Sequence, residues 1–436
     1  MPLPLLQRLT RATPRETTAS LWAFVFFFAL LAGYYVLRPI RDEMAIEGGQ
    51  RALSRLFTLV FVSMLVLAPV FGALTARFPR KRLLPWLYAF FVLDLMLFWW
   101  AFRAGNTQSP PVAKTFFVWV SVFNLFAVSL FWSFMADIFD TAQAKRLYGF
   151  IAAGGTAGAL AGPSLTAVFV VLVGVKGMVL VSAAFLVLAI IAILRLCRWA
   201  EDSGAAPPAA REPALGGSVF AGITDVVRSP YLIGICFFLL CFSLLSTFLY
   251  FMQTDLVPAA IHDSAARTRL LALVDLGVNV LALAIQLFAF GAMMARMGTT
   301  FTLALMPLVA AVGFALLASD PVLPVLVAFG VLRRAGEYAV SKPARETLFN
   351  VLPPAQKYKA KNVIDTVVHR GGDTASSWVF NGLRAAGISL TTMAWIAVPV
   401  SLAWCAGAIA LGRSAATKAN QPASAGAASL AASVSR

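Results

Sequence analysis

Charged residues are concentrated between Arg333 and Arg370, a stretch that lies between two apolar runs. Arg333 and Arg334 follow the apolar residues 322–332 without an intervening turn former, which indicates that both lie near the end of one apolar helix. Glu337 stands four residues after Arg333 and three after Arg334, so on a helix its carboxylate faces both cations. Ionisable groups inside an apolar helix bundle usually face its interior or a wet cavity. The pattern therefore predicts a pathway for a charged solute.

Further along the same stretch, Arg345 and Glu346 precede three lysines at 357–361, and Asp365 follows them. We predict that Arg345 binds an anion together with the preceding arginine pair. We also predict that the acids Glu337, Glu346 and Asp365 neutralise these cations while no ligand is bound, because like charges crowded in a cavity would be unfavourable. The lysines have a simpler explanation, since the cytoplasmic loops of membrane proteins collect basic residues.

A second charged motif, residues 38–43 (RPIRDE), follows the first apolar run. In one interpretation, Arg38 and Arg41 reach the membrane surface, as basic side chains at the end of a span often do. In the other, the apolar residues 44–46 continue the pattern and keep the motif inside the protein. There the two planar guanidinium groups could bind a phosphate in bidentate fashion, and Asp42 could neutralise them.

Three further charged residues are candidates for a role in the pathway. Lys145 follows the fourth apolar run and is either a cytoplasmic anchor or another cation for an anionic solute. Asp94 and Asp275 stand isolated in the third and eighth runs. Each is a candidate proton site, because burial disfavours the charged form of a carboxylate. A structural role as a hydrogen-bonded acid is the equal alternative.

The composition is that of an integral membrane protein. The 436 residues are 60% hydrophobic and only 12% charged, and the mean hydropathy is +0.83. These values exclude an ordinary soluble domain. The net charge of +16 does not indicate nucleic-acid binding, because the basic residues interrupt apolar runs instead of forming one solvated patch.

Enzymatic and metal-dependent functions find no support in the sequence. The four cysteines lack the spacing of a disulfide framework or a metal site, and two histidines are too few for a centre built on histidine. The phosphate-binding loop, the dinucleotide fingerprint and the common hydrolase motifs do not occur. We therefore expect no cofactor, no metal and no enzymatic activity.

Twelve apolar stretches have about the 20 residues that cross a bilayer. They lie near 20–40, 54–76, 83–103, 115–136, 148–173, 178–197, 230–251, 269–295, 300–318, 322–341, 363–386 and 390–412. The widest gap is polar and flexible in composition, and it separates two sets of six. The predicted domains are a cytoplasmic arm at 1–19, a first six-helix half at 20–197, a cytoplasmic connector at 198–229, a second half at 230–412 and a disordered cytoplasmic tail at 413–436.

The two halves carry related loops. Residues 72–77 (GALTAR) follow the second span, and residues 291–296 (GAMMAR) follow the eighth. Two six-span halves with this loop resemble the major facilitator superfamily, whose motif is G-x-x-x-D-R-x-G-R-K/R. Here Ala76 replaces the acid and Pro79 replaces the second glycine. With the N-terminus inside, most of the 35 Lys and Arg residues lie in cytoplasmic segments, which predicts that both termini are cytoplasmic.

Several motifs are similar to those of a narrower family, the ATP/ADP translocases of intracellular bacteria and plastids. Residues 38–42 (RPIRD) resemble its K-P-L-R-D, while residues 131–134 (FWSF) and 144–148 (AKRLY) resemble F-W-x-F and A-K-R-F-Y. Residues 359–365 (KAKNVID) resemble K-x-K-x-x-I-D, and Tyr338, Pro343 and Glu346 resemble further family positions. Arg38 stands where the family has Lys, Gln143 where it has Glu, and Glu337 where it tends to have Lys.

The resemblance implies a secondary transporter that exchanges nucleoside tri- and diphosphates by alternating access. It implies a bacterial inner-membrane protein whose partners are a phosphorylated small-molecule anion and membrane lipid, with no required protein partner. The predicted substrate-binding residues are then Arg38, Arg41, Lys145, Arg333, Arg334 and Arg345, and the predicted charge-pairing residues are Asp42, Glu337, Glu346 and Asp365.

Two other functions stay open. The same fold could carry a different organic anion or a drug-like solute, driven by protons that bind Asp94 or Asp275. The chain could also be a membrane receptor or scaffold that signals through its cytoplasmic loops. The receptor is the least favoured, because the sequence contains no additional folded domain that could pass on a signal.

Overall fold

The computed structural model of the protein describes residues 13–48, 50–78, 80–104, 109–202 and 219–419. These residues are almost entirely helical, and they contain no β-strand. The α-helices are α1 (Pro14–Gly48), α2 (Gln50–Arg77), α3 (Arg80–Arg103), α4 (Pro110–Ile138), α5 (Thr141–Asp202), α6 (Val219–Arg228), α7 (Pro230–Ala260), α8 (Ser264–Phe288), α9 (Phe290–Ser319), α10 (Leu323–Gly336), α11 (Lys342–Leu348), α12 (Pro354–Val363), α13 (His369–Ala385) and α14 (Leu390–Ala419). Two π-helical turns, Glu337–Ser341 and Ile364–Val368, join α10 to α11 and α12 to α13.

Nine helices in the described ranges are long and apolar enough to cross a membrane. One of them, α5, bends at Gly174, whose backbone has φ 67° and ψ 177°, a conformation that favours glycine. The two parts of α5 therefore supply the predicted spans at 148–173 and 178–197. The predicted spans at 322–341 and 363–386 fall on α10 and α13 with their π-helical turns. A helix thus occupies each of the twelve predicted spans.

The first helix begins earlier than predicted, within the stretch assigned to a cytoplasmic arm. Thr13 and Glu16 cap its start at Pro14: Thr13 N–H donates to Glu16 Oε2 at 2.8 Å, and Glu16 N–H donates to Thr13 Oγ1 at 3.3 Å. Such reciprocal capping and a proline in the first turn both favour helix initiation. At its other end α1 continues to Gly48, so the motif at 38–43 lies within the helix rather than after it.

Helix also occupies parts of the segments predicted to be flexible. Within the predicted connector, α6 packs against α12 and buries Val226. At the C-terminus, α14 extends to Ala419 and not only to 412, because the alanine-rich sequence has a high helix propensity. The rest of the arm, connector and tail, at 1–12, 203–218 and 420–436, lies outside the described residues.

The eighth span ends earlier than its predicted boundary at residue 295. Helix α8 stops at Phe288, and Ala289, with φ −115° and ψ −41°, separates it from α9. The loop motif at 291–296 therefore lies on a short helical segment that ends at Gly298, which has φ 70°. Pro79, the counterpart of Gly298 in the other loop, lies outside the described residues.

The described helices group into two compact units. Unit 1 contains α1 to α5 together with Phe251–Val280, the end of α7 and most of α8. Unit 2 contains α6, the part of α7 up to Tyr250, and the described chain from Leu281 onward. Within unit 2, α9 packs along α14, and the rings of Phe314 and Phe329 meet edge to face at 5.1 Å.

Unit 1 is built around a long contact between α1 and α5. Gly154, Gly158 and Gly162 form one stripe on α5, and a Cβ atom on any of them would overlap the backbone of α1. The stripe therefore allows α1 and α5 to pack closely. The aromatic motif at 131–134 belongs to the core of the same unit, where the Phe131 ring stacks on Phe27 with centroids 4.2 Å apart.

Candidate functional site

In unit 1, Arg38 on α1 forms an ion pair with Asp275 on α8. Arg38 Nη1 lies 3.6 Å from Asp275 Oδ1, and both side chains are largely buried. The guanidinium group also lies over the ring of Tyr35, 5.8 Å from its centroid. The fold therefore brings together a predicted substrate-binding cation and a predicted proton site that are far apart in the sequence.

Arg41 lies on the following turn of α1 and contacts its neighbour Asp42. Arg41 Nη2 donates to Asp42 Oδ1 at 2.7 Å, and Nη1 donates to the hydroxyl of Ser121 at 3.4 Å. The same guanidinium group lies over the ring of Phe117, 5.3 Å from its centroid. Arg41 is thus held between α1 and α4 by a carboxylate, a hydroxyl and an aromatic face.

A third charged cluster joins the end of α1 to the start of α8. Arg267 Nε donates to Glu43 Oε1 at 2.7 Å, and Nη2 lies 3.4 Å from Glu47 Oε1. Arg267 Nη1 donates to the backbone oxygens of Ile261 and His262 at 3.3 and 2.9 Å. Because Arg267 and Glu43 are both buried, this contact is a strong internal link within unit 1.

The remaining predicted residues of unit 1 have different environments. Asp94 is half-buried on α3 and accepts a hydrogen bond from Trp119 Nε1 of α4 at 2.8 Å, which is the geometry of the structural alternative. Lys145 is exposed near the start of α5. The structure therefore does not bring Lys145 into the buried cluster formed by Arg38 and Asp275.

In unit 2, Arg333 lies in the interior and contacts neutral groups of α7. Its Nη1 donates to the hydroxyl of Ser246 at 2.7 Å, and its guanidinium group lies over the ring of Phe242, 5.8 Å from the centroid. Arg333 Nε is buried and has no hydrogen-bond partner among the described residues. Arg334, the next residue, is half-buried. Arg333 can therefore offer a buried N–H group to an anion.

The π-helical turn after Arg333 ends where the sequence places a proline. Pro343 has no N–H group, so it cannot donate to the carbonyl of Tyr338 as the next residue of a π-helix would. Instead, Tyr338 O accepts a hydrogen bond from Gln286 Nε2 at 3.2 Å. Glu337 begins this turn and is half-buried. The turn changes which side chains of α10 and α11 share a face.

Two ion pairs connect α11 to the second π-helical turn and the helix before it. Arg345 Nη2 lies 3.9 Å from Asp365 Oδ1, and Lys361 Nζ lies 2.5 Å from Glu346 Oε2. Arg345 is buried, and its Nε has no hydrogen-bond partner among the described residues. The cluster thus contains two acidic and two basic side chains. Lys361 is one of them, although the three lysines at 357–361 were interpreted above as basic residues of a cytoplasmic loop.

The start of α13 carries three further titratable or charged side chains. Arg370 Nη1 lies 3.7 Å from Asp373 Oδ2. The ring centroid of His369 lies 5.8 Å from that of Phe242, the residue of α7 whose ring contacts Arg333. Ser243 Oγ donates to the backbone oxygen of His369 at 3.3 Å. These contacts place the start of α13 beside the part of α7 that contacts Arg333.

The two units thus differ in the way they hold their arginines. Arg38 and Arg41 contact carboxylates, whereas Arg333 contacts a hydroxyl and an aromatic ring. A planar guanidinium group with a free N–H is suited to bind a phosphate or carboxylate oxygen. Within the described ranges, no group of three or more His, Cys, Asp or Glu side chains is arranged to hold a metal ion.

Residues 17–341 match the sequence model of the Major Facilitator Superfamily. The chain belongs to this superfamily. It is therefore a transporter of the major facilitator type rather than an enzyme, and its apolar helices make it an integral membrane protein. The predicted fold class, an all-α membrane protein with twelve transmembrane helices in two six-helix halves, is confirmed.

Solved structures of other major facilitator proteins have the same fold. A variant of the nucleoside transporter NupG is 14% identical with a TM-score of 0.63, over 90% of this chain and 99% of that one. A bacterial homologue of the iron transporter ferroportin is 13% identical with a TM-score of 0.64, over 92% and 99%. The POT family transporter PepTSo is 14% identical with a TM-score of 0.63, over 94% and 99%.

No curated protein matches this major facilitator chain. The narrower resemblance to ATP/ADP translocases therefore rests on the sequence motifs, and it stays a prediction. The assignment of Arg38, Arg41, Lys145, Arg333, Arg334 and Arg345 to substrate binding likewise stays a prediction.

Sequence reasoning did not single out three residues that hold the charged clusters of this major facilitator protein. Arg267 links α8 to α1, Ser246 holds Arg333, and Asp373 pairs with Arg370. One signal was available for Arg267 and Asp373, because each is an ionisable residue close to a predicted span. Nothing in the sequence distinguishes Ser246 from Ser243, the other serine of α7, since only the packing of α10 against α7 selects it.

Proposed function

We propose that this protein exchanges nucleoside tri- and diphosphates across the bacterial inner membrane by alternating access, with both termini in the cytoplasm. The proposal joins the superfamily assignment to the motifs that resemble ATP/ADP translocases. Its substrate is a phosphorylated anion, and Arg333 and Arg345 provide the part of the binding site that lies in unit 2.

The observation that carries this proposal is the buried Nε of Arg333 without an acceptor. A guanidinium group keeps its charge in a low dielectric and presents a planar set of donors to a phosphate. Leaving a buried donor without a partner costs free energy, which a bound oxyanion would recover. Ser246 and Phe242 hold Arg333 through a hydroxyl and an aromatic ring, both of which are neutral.

Arg345 supports the same assignment. Its Nε is also buried without a partner among the described residues, and its only carboxylate neighbour in an ion pair there, Asp365, is 3.9 Å away.

The exchange is tested with purified protein in liposomes that contain unlabelled ADP. We expect saturable uptake of labelled ATP that depends on the internal nucleotide. Arg333→Ala should reduce this uptake by roughly 10- to 100-fold, because a charge-assisted hydrogen bond contributes about 1.5–3 kcal/mol. Arg384→Ala, which removes an exposed arginine of α13, is the matched control and should leave uptake unchanged.

Two results would contradict the proposal. Uptake of ATP that does not need internal nucleotide would exclude exchange. Uptake that Arg333→Ala and Arg345→Ala leave unchanged would exclude the proposed site, even if ATP is transported.

A second candidate function is proton-driven transport of another organic anion or drug-like solute. The ion pair between Arg38 and Asp275 favours it, because a proton on Asp275 would release Arg38. In that case a pH gradient should drive uptake, Asp275→Asn should abolish the effect of the gradient, and nucleotides should not compete. The liposome assay separates the two functions when an acid-outside gradient replaces the internal ADP.

A further inference from the structure

We propose that Asp373 is a proton-binding site in unit 2 and that its occupancy is coupled to the binding of an anion at Arg333. This inference rests on the assignment of Arg333 to anion binding in the proposed function. It adds a proton to the transported species and a residue to which no sequence motif drew attention.

The close approach of α13 to α7 leaves the side chain of Asp373 only 19% exposed. Gly372 lies against α7, where a Cβ atom would come within 3.0 Å of Leu240 and 3.2 Å of Ser243. Because Gly372 has no side chain, α13 can approach to this distance. Ser243 is fully buried, and its hydroxyl donates to the backbone oxygen of His369 at 3.3 Å, one turn before Asp373.

The face of α7 against which Gly372 packs also contacts Arg333. Phe242 and Ser246 contact Arg333. Ser243 lies between them in the sequence, and the helical spacing brings the three side chains close together. Asp373 lies one turn after His369 on α13, and Phe242 contacts both the His369 ring and the Arg333 guanidinium group. A ligand at Arg333 would therefore come within range of the Asp373 carboxylate.

Few charges face Asp373 among the described residues. Arg370 on its own helix lies 3.7 Å away, and Arg333 on α10 is the other cation. Helix α7 contributes only the neutral Ser243. The charges of Arg345 and Lys342 act on the neighbouring His369 instead.

Electrostatics couples the two sites. While the anion site is empty, Arg333 and Arg370 stabilise the negative charge of Asp373. An anion that binds Arg333 takes up part of that stabilisation and repels the carboxylate, and the repulsion is strong because the interior has a low dielectric. A proton on Asp373, taken up from the water that delivers the anion, removes the repulsion. Each ligand therefore increases the affinity for the other.

The coupling is measured by thermal unfolding of the purified full-length protein with increasing sulfate or ADP, at about pH 5.5 and about pH 7.5. Sulfate does not titrate in this range, so any pH effect on its binding belongs to the protein. Wild type should bind sulfate roughly tenfold more tightly at the lower pH, a usual size for coupled sites. Asp373→Asn should bind it with the same affinity at both pH values.

Matched variants separate the carboxylate from general effects of substitution. Asp320→Asn removes an exposed acid of the same unit and should keep the pH dependence of wild type. Asp373→Glu should also keep it, because it retains the acid. The inference is overturned if Asp373→Asn shows the same pH dependence as wild type.

A second readout applies even if Asp373→Asn does not fold. A weakly buffered solution of purified wild-type protein with a pH dye should become more alkaline when sulfate is added, because anion binding takes up a proton. Sulfate binding without this pH change overturns the inference. If ADP binding needs Arg333 but does not depend on Asp373, the proposed function stands and this inference fails. If sulfate shows the coupling and nucleotides do not bind, the inference stands and nucleotide exchange fails.

Discussion

Gln143 uses both ends of its side-chain amide, and this explains its identity at a position where ATP/ADP translocases have Glu. Its oxygen accepts from the N–H of Asp140 at 3.0 Å, which caps the start of α5. Its nitrogen donates to Glu16 Oε1 at 3.0 Å, and Arg146 Nη2 donates to the same oxygen at 3.1 Å. With Glu16 on the facing helix, a neutral donor at 143 is favourable and a second carboxylate is not.

Gln143→Glu should therefore destabilise the contact between α1 and α5. The variant loses a hydrogen bond and places two carboxylates close together, which should cost about 1–3 kcal/mol and lower the melting temperature. Thermal unfolding of the purified variant measures the effect. Adding Glu16→Gln should restore part of the stability, because it removes the repulsion between the two carboxylates but also the ion pair of Glu16 with Arg146. Unchanged stability of the single variant would contradict this explanation.

At the residue scale, the sequence indicated the charged candidates but not their partners. Asp42, Glu346 and Asp365 were singled out as acids that pair with cations, and each lies next to one, although the partner of Glu346 is Lys361. The contact of Arg38 with Asp275 could not be foreseen. Spacing along one helix is known from the sequence, whereas the register between two distant helices depends on how their surfaces pack.

At the scale of the elements, close packing of α1 on α5 explains the glycine stripe. The backbone oxygens of Phe24, Phe28 and Ala32 occupy the space that side chains at Gly154, Gly158 and Gly162 would need. The first half of α5 is therefore matched to α1 by shape, and a larger residue in the stripe must separate the two helices.

Gly158→Ala should lower the free energy of unfolding by about 1–3 kcal/mol, because the added methyl group overlaps the α1 backbone. Gly149→Ala is the matched control in the same helix. Position 149 is exposed and has no neighbour within 4 Å, so alanine there should raise stability by up to about 1 kcal/mol through its helix propensity. Thermal unfolding of both variants in one detergent gives the comparison. Equal effects at the two positions would exclude close packing as the reason for the stripe.

The π-helical turns show where element prediction from sequence is incomplete. Apolar length and hydropathy located the spans at 322–341 and 363–386, and Pro343 was visible in the sequence. The consequence of Pro343 depends on whether another group satisfies the freed carbonyl of Tyr338. That group is Gln286 of α8, and only the tertiary structure identifies it.

At the scale of the whole molecule, the distribution of Lys and Arg predicts orientation. Most of the 35 basic residues lie in segments on the side of the N-terminus, and such segments stay in the cytoplasm. Ala142, at the start of α5, belongs to that side, and Asp320, between α9 and α10, belongs to the other. Both residues are exposed.

Single cysteines at these two positions, in a background without the four native cysteines, test the orientation. A maleimide that cannot cross the membrane should label Asp320→Cys in intact cells. It should label Ala142→Cys only in inside-out vesicles. Both variants should react after the membrane is permeabilised, which is the control for accessibility. The opposite labelling pattern would show that the orientation is wrong.

The sequence by itself determined the class of this protein and the positions of its spans. Long apolar stretches have no stable alternative to helices in a bilayer, because every backbone polar group must find its partner within the segment. Only the tertiary structure decided which charges meet, such as Arg267 with Glu43, or Arg38 with Asp275. A charged side chain indicates that a partner is needed, but its identity depends on the distance and rotation between helices that are far apart in the sequence.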